Sequence, residues 1–273
     1  MRTSSNVLQH MEKDIVYFTE AYLKSRPLFF SFIRPQEAFL FHRNLNLLEG
    51  PILDLGCGDG FFAELTFGKQ TIDVGLDIPS SLAGIAEQKH IYKKVVAYAG
   101  EAIPFSDNSY GSVVSNCVLE HIPDLEGTIQ EVYRVLRPGG YFIATVMADK
   151  WNDYLFGAKL LGRTYVEFMR RKQVHYNLLS YSEWKRIFEE GGFKVEKGIG
   201  YLSKNVALSM DIAHYISVPS LISHSLLNKW VLFPNWYKPF NLQGRISSLT
   251  NRSIGDSASA AYFFICRKLA FNA

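Results

Sequence analysis

The run Pro51-Ile52-Leu53-Asp54-Leu55-Gly56-Cys57-Gly58-Asp59-Gly60 narrows the fold more than any other part of the chain, because an apolar stretch stops there on closely spaced glycines. A short stretch of this kind reads as a buried parallel strand. The glycines after it leave a turn whose backbone a ligand can approach, since no side chain stands in the way. From this point strand and helix alternate. The pattern predicts helices over 61–67, 80–89 and 125–136, and strands over 71–76, 94–99, 110–116 and 141–147. Asp124 is placed to N-cap the third helix, whose Leu125, Ile129, Val132 and Leu136 share one face and which Pro138-Gly139-Gly140 should end. Such alternation argues for an α/β architecture, a parallel sheet with helices on both faces.

The flanking segments differ in pattern. Residues 1–49 read as an N-terminal helical cap, with Val7, Leu8, Met11, Ile15, Phe18 and Tyr22 at helical spacing and breaks at Pro27 and Pro35. The core is expected over 50–204. Within it, 149–179 reads as irregular and partly helical, and Ser180 with Glu183 has capping-box spacing ahead of Trp184, Ile187 and Phe188. Gly191-Gly192 should close that helix, and Phe193–Val195 should begin a strand. A late insertion, 205–255, separates this core from a terminal segment, 256–273, that holds a strand over 260–266.

Composition removes several function classes. The net charge of +3 on 273 residues is too mild for a nucleic-acid binder, and Arg170-Arg171-Lys172 reads as a solvated helix end. Cys57, Cys117 and Cys266 show neither disulfide nor metal spacing, and no ligand cluster for a metal is evident. With no signal-peptide pattern and no run of eighteen apolar residues, the expected location is cytoplasmic.

Gly56, Gly58 and Gly60 give GxGxG, whereas the dinucleotide fingerprint needs glycine where Phe61 stands. Asp54 would repel a pyrophosphate but favour a ligand carrying a sulfonium and an ammonium group. Asp77, closing the second strand, is placed to accept hydrogen bonds from ribose hydroxyls, and Ile78 to pack on an adenine face. Taken singly, each has a plainer reading, since glycines make turns and an aspartate often caps the next helix.

In their order these motifs closely resemble the class I S-adenosylmethionine (SAM)-dependent methyltransferases, in particular the subgroup often labelled type 11. Asp54–Gly60 resembles the SAM-binding loop, Asp77 the ribose-binding acid, and Ile103-Pro104-Phe105-Ser106-Asp107-Asn108-Ser109-Tyr110 the segment "LPF-x-D-x-SF". Val118-Leu119-Glu120-His121-Ile122 and Arg134–Gly140 match two more segments. The resemblance implies SAM as cofactor and a Rossmann-like, seven-stranded, mostly parallel sheet with an antiparallel last strand. It departs at Ala99, where the family usually has an adenine-binding acid; Glu101 is the nearest substitute. The family's "F-D" at the start of strand four is Tyr110-Gly111 here. Ala102 and Asn116 complete the candidate cofactor-binding set.

Methyl transfer needs an aligned nucleophile, exclusion of water and, for a protonated acceptor, a base. His121, just after strand four, is the first candidate base, with His175 and Tyr176 as second options; each equally suits a structural role. Residues 205–240 carry only Asp211, Lys229 and Lys238 as charges among Tyr215, Trp230, Phe233, Trp236, Tyr237 and Phe240. Three roles suit that composition: packing on the core, an apolar lid over a small hydrophobic acceptor, or peripheral membrane contact. The leading functional expectation is an enzyme that methylates a small apolar or lipid-like molecule. The alternative is a SAM-binding regulatory or assembly protein without transferase activity.

Overall fold

In a computed structural model, residues 14–79, 82–98 and 102–270 are described. The strands are β1 (Ile52–Leu55), β2 (Val74–Asp77), β3 (Lys94–Ala97), β4 (Tyr110–Asn116), β5 (Leu136–Met147), β6 (Phe193–Gly200) and β7 (Ala261–Lys268). They form one seven-stranded sheet in the order β3-β2-β1-β4-β5-β7-β6. Strands β1 to β5 pair in parallel, and β7 runs antiparallel between β5 and β6. This is the mostly parallel sheet expected from the sequence. The pleat of β5 shows how the core divides: Phe142, Ala144 and Val146 pack on one face, Ile143 and Met147 on the other. Each fully buried Phe or Leu in these layers stabilises the fold by roughly 1.5–3 kcal/mol.

Helix α1 (Ile15–Ser25) starts at Asp14, whose carboxylate accepts the Tyr17 N–H at 2.8 Å. After Pro27 a short 3-10 turn, Leu28–Phe32, leads into α2 (Arg34–Arg43). Pro35 sits in the first turn of α2, where its missing N–H costs nothing, so it opens a helix. Helices α3 (Phe61–Phe67) and α4 (Ala83–Gln88) follow β1 and β2. Val7, Leu8, Met11, Ser80, Ala99 and Glu101 lie outside the described residues, and with them the predicted cap before 14; β3 ends at Ala97, before Tyr98 and short of the expected 99, and α4 begins at Ala83.

Several boundaries differ from expectation, and two have a traceable cause. Strand β2 spans Val74–Asp77 rather than 71–76, because its register is set by β1, with Leu53 opposite Val74; the Asp73 carboxylate instead accepts the Ile52 N–H at 2.7 Å. Helix α5 (Leu125–Val135) stops before Leu136, which opens β5 opposite Tyr110. Lys268 Nζ donates to the Tyr133 and Leu136 carbonyls at 2.7 Å each, closing the helix end, and Pro138 disfavours helix at the residue before it. The N-cap at Asp124 is present, accepting the Gly127 N–H at 3.0 Å.

Most of the segment expected to be irregular is helical: α6 (Lys150–Tyr154) and α7 (Phe156–Lys172), the latter bent at Gly162 with φ +64°. Exposed Leu160, Leu161 and Phe168 blur its apolar stripe. Helix α8 (Tyr181–Glu190) carries the complete capping box and buries Trp184, Ile187 and Phe188. The late insertion forms α9 (Lys204–Ile216), α10 (Val218–Leu227) and α11 (Leu242–Asn251). Val206, Ala207 and Ile246 are buried, and Tyr237, fully buried, donates to Glu20 of α1 at 2.7 Å.

The strand order reverses between β1 and β4, whose connections leave in opposite directions. A crevice therefore opens beyond their carboxyl ends, the usual ligand position in an open α/β sheet.

Candidate active site

Asp54 and Leu55 end β1 at this crevice, and the glycine loop turns there through positive φ at Gly56 (+83°), Gly58 (+53°) and Gly60 (+75°). The Gly56 and Cys57 N–H groups both donate to the Leu76 carbonyl, at 2.7 and 3.1 Å, which ties the loop to β2. Asp77 holds it from the side, accepting the Gly58 N–H at 2.6 Å and the Ile78 N–H at 2.7 Å. Asp54 is buried and accepts the Tyr92 hydroxyl at 2.6 Å. Burial pushes its carboxyl up to about 7; the Tyr92 bond opposes this and the nearby Asp77 charge adds to it.

A cavity of about 230 Å³ lies over the loop. Asp54, Gly56, Cys57, Gly58 and Asn116 line it, so the structure brings these five predicted residues together. Asn116 is oriented by Thr145, whose hydroxyl donates to its Oδ1 at 2.8 Å. Gly60 packs instead against Ile91 and Ala86. Asp77 acts on the cavity through Gly58, Ile78 is about half exposed, Ala102 is exposed, and Glu101 is outside the described residues. The remaining wall comes largely from the N-terminal cap: Tyr22, Arg26, Phe30 and Arg34. Arg26 pairs with Asp59 of the loop and lies over the Phe61 ring at 4.3 Å, which fixes the cap on the glycine turn.

A second cavity, about 200 Å³, adjoins the first. Phe30 and Arg34 line both, and the consecutive residues Asn116 and Cys117 at the end of β4 face one each. The walls of the second are mostly apolar (Phe29, Ile33, Met147, Trp151 and Met210), with Glu120, His121 and His175 among them. The two imidazoles stack at 4.9 Å. His121 Nδ1 is 3.2 Å from the Val174 carbonyl, which can only accept, so Nδ1 carries the proton and Nε2 keeps its lone pair. Burial lowers the pKa of both, that of His175 to about 4, with the His121 and Arg170 charges contributing to the latter. Both rings are therefore neutral near pH 7. Tyr176 is not part of this lining; its ring is exposed, and its backbone N–H donates to the Glu120 carbonyl at 2.9 Å.

Glu120 is fully buried, with Oε1 accepting the Met147 N–H at 3.3 Å and Oε2 without a partner among the described residues. Burial pushes its carboxyl up to about 7. His175 Nδ1 is likewise buried and has no partner among the described residues. Arg34 donates to Glu37 at 2.6 Å, and Glu37 also accepts the Tyr201 hydroxyl at 2.8 Å and the Cys117 thiol at 3.1 Å. Glu120, Arg34, Arg26 and Phe30 were not singled out from the sequence. Their signals were faint: Glu120 is next to His121, and the two arginines are isolated charges flanking an apolar run.

A sequence model described as "Methyltransferase domain" matches residues 53–144. The ubiquinone biosynthesis O-methyltransferase of Burkholderia vietnamiensis is 30% identical over 174 residues, which cover 58% of this chain and 72% of that one. The chain belongs to the class I SAM-dependent methyltransferases. The methyltransferase is also 29% identical over 168 residues to the demethylmenaquinone methyltransferase of Lactiplantibacillus plantarum, covering 52% and 70% of the two chains. Its fold is similar to that of a SAM-dependent methyltransferase from Thermotoga maritima (TM-score 0.52, 20% identity, covering 88% and 99%). SAM is its cofactor.

Proposed function

We propose that the methyltransferase holds SAM in the cavity over the glycine loop and an apolar acceptor in the adjoining one. The observation that carries this reading is the shared wall of Phe30 and Arg34 between a cavity with a buried carboxylate on a glycine turn and one with apolar walls. The residues fit the cofactor: Asp54 supplies negative charge where a sulfonium and an ammonium are to be received, and Gly58 leaves open space above the turn. When bound, SAM supplies an electrophilic methyl carbon, open to in-line attack, on a good leaving group.

The chain's own groups do the rest. Asp77 receives the ribose hydroxyls with the lone pairs left after its two backbone bonds, and Ile78 offers an apolar face to the adenine. Glu120 Oε2 and His175 Nδ1 orient a hydroxyl or amine of the acceptor, each thereby gaining the partner it lacks. His121 Nε2 accepts the acceptor's proton, and stacking on His175 holds its ring in place. Phe29, Phe30, Trp151 and Met210 exclude water around the reacting groups. The relatives named for ubiquinone biosynthesis and for demethylmenaquinone support an apolar acceptor. Transfer of labelled methyl from SAM into a whole metabolite extract, followed by partition into apolar and water-soluble fractions, tests the reading; label appearing only in water-soluble products overturns it.

Two expected results concern the cofactor. Asp77→Ala weakens SAM binding by about 2 kcal/mol, from lost charge-assisted hydrogen bonds and a loosened Gly58, as calorimetry would show. Unchanged affinity in the folded variant removes the ribose assignment. SAM affinity also depends on pH through Asp54. With its carboxyl at about 7, the free site is protonated in mild acid, and a cationic ligand must displace that proton. Affinity is therefore highest above pH 7 and falls roughly 20-fold between about pH 7.5 and about pH 5.5. A pH-independent affinity over that range contradicts the role of Asp54.

A further inference from the structure

We propose that the face built by α10 and the residues after it, 228–240, docks the protein on an anionic lipid surface. A helix on the outside of a globular protein normally turns its apolar stripe inward. Helix α10 does the reverse. Ser217 at its N-terminus and Ser223 are buried, and Ser223 Oγ donates to the Ser220 and Lys229 carbonyls at 3.1 and 2.8 Å. Val218, Ile222 and Leu226, one turn apart, face outward with Leu221 and Leu227, and Leu226 is 76% exposed.

The next segment folds back against the serine side of α10, where Trp230, Leu232, Phe233 and Trp236 share a groove with Ser217, Ser220 and Ser223. The Trp230 ring stacks on His224 at 3.8 Å, which brings the chain back along the helix, and Phe233 and Phe240 are 74% and 63% exposed. Monomeric proteins rarely leave so much apolar side chain in water, and exposed apolar patches mark interaction surfaces.

Charge identifies the occupant. The proposed face, 218–240, carries Lys229 and Lys238, both exposed, and no carboxylate. On the preceding helix, Asp211 is buried, where it accepts the Phe156 N–H at 2.8 Å. Two copies of a face whose only charges are cationic repel each other, whereas an anionic headgroup layer attracts it while the leucines enter the acyl boundary. No single helix among the described residues is long and apolar enough to cross a bilayer; α9 and α10 meet at a 47° bend, and buried Val206, Ala207 and Ala213 hold α9 on the protein core. The inference holds whichever acceptor is methylated.

Vesicle flotation of the full chain tests it. The protein is expected to float with phosphatidylcholine vesicles containing phosphatidylglycerol, to stay in solution with phosphatidylcholine alone, and to detach as salt rises. Combining Leu221→Ser, Leu226→Ser and Phe233→Ser, all on exposed side chains, should lower partitioning roughly tenfold or more with S-adenosylhomocysteine affinity unchanged. Lys229→Glu with Lys238→Glu should remove the preference for the anionic lipid. The proposal is overturned by a wild-type chain that ignores anionic vesicles, or by a serine variant that floats like wild type. It is equally overturned by a lipid-free dimer that the serine variant converts to monomer, which would make this face an interface between copies.

Discussion

Gly58→Val is expected to leave a folded protein that no longer binds SAM at any concentration calorimetry can reach. A Cβ at Gly58 meets nothing within 4 Å, so the protein itself does not oppose the side chain; the space it enters is the cavity over the loop. The cost to the fold is the left-handed backbone, φ +53°, on the order of 1–2 kcal/mol for a residue with a Cβ. Gly56→Val is the contrasting control. There a Cβ would stand 2.1 Å from Val118 Cγ2, so that variant should lose stability by thermal melting before its binding can be measured. A Gly58→Val protein that binds SAM normally would show that the cofactor does not lie over this turn.

The second large effect is expected at His121. Its replacement by alanine should lower turnover by about 10²-fold while SAM affinity stays unchanged, because the ring lines the second cavity and not the first. Single-turnover kinetics with labelled SAM give the readout. The loss should shrink as pH rises, since an acceptor that ionises by itself no longer needs the base. Turnover that is insensitive to the substitution across the pH range would leave His121 as a stacking partner of His175 alone.

Much of this was legible in the sequence, and unevenly so. The sheet could be read because its strands are short apolar runs closed by glycine or a carboxylate, a signal that lies within a few residues. The capping box of Ser180 and Glu183 and the N-cap at Asp124 were equally local. Where a strand began was less so. Residues 71–73 have strand-like composition, yet pairing with β1 starts β2 at Val74, and Leu136 belongs to the sheet because Tyr110 is its neighbour there.

By itself the sequence determined the glycine turn, the acids at Asp54 and Asp77, and the α/β alternation that brings them to one crevice. Each of these rests on a local requirement: positive φ at a glycine, or an apolar period of two or 3.6 residues. Only the tertiary structure decided what encloses the crevice. Arg34 and Phe30 come from the N-terminal cap, more than eighty positions before Asn116 and Cys117, and no local pattern announces that they meet. It also decided that Tyr176 faces solvent while Glu120 is buried beside His121, and that α10 turns Ser223 inward and its leucines outward. The physical reason is the same in each case. Which side of a helix or loop is covered depends on what packs against it, and those partners are set by chain crossings far away in sequence.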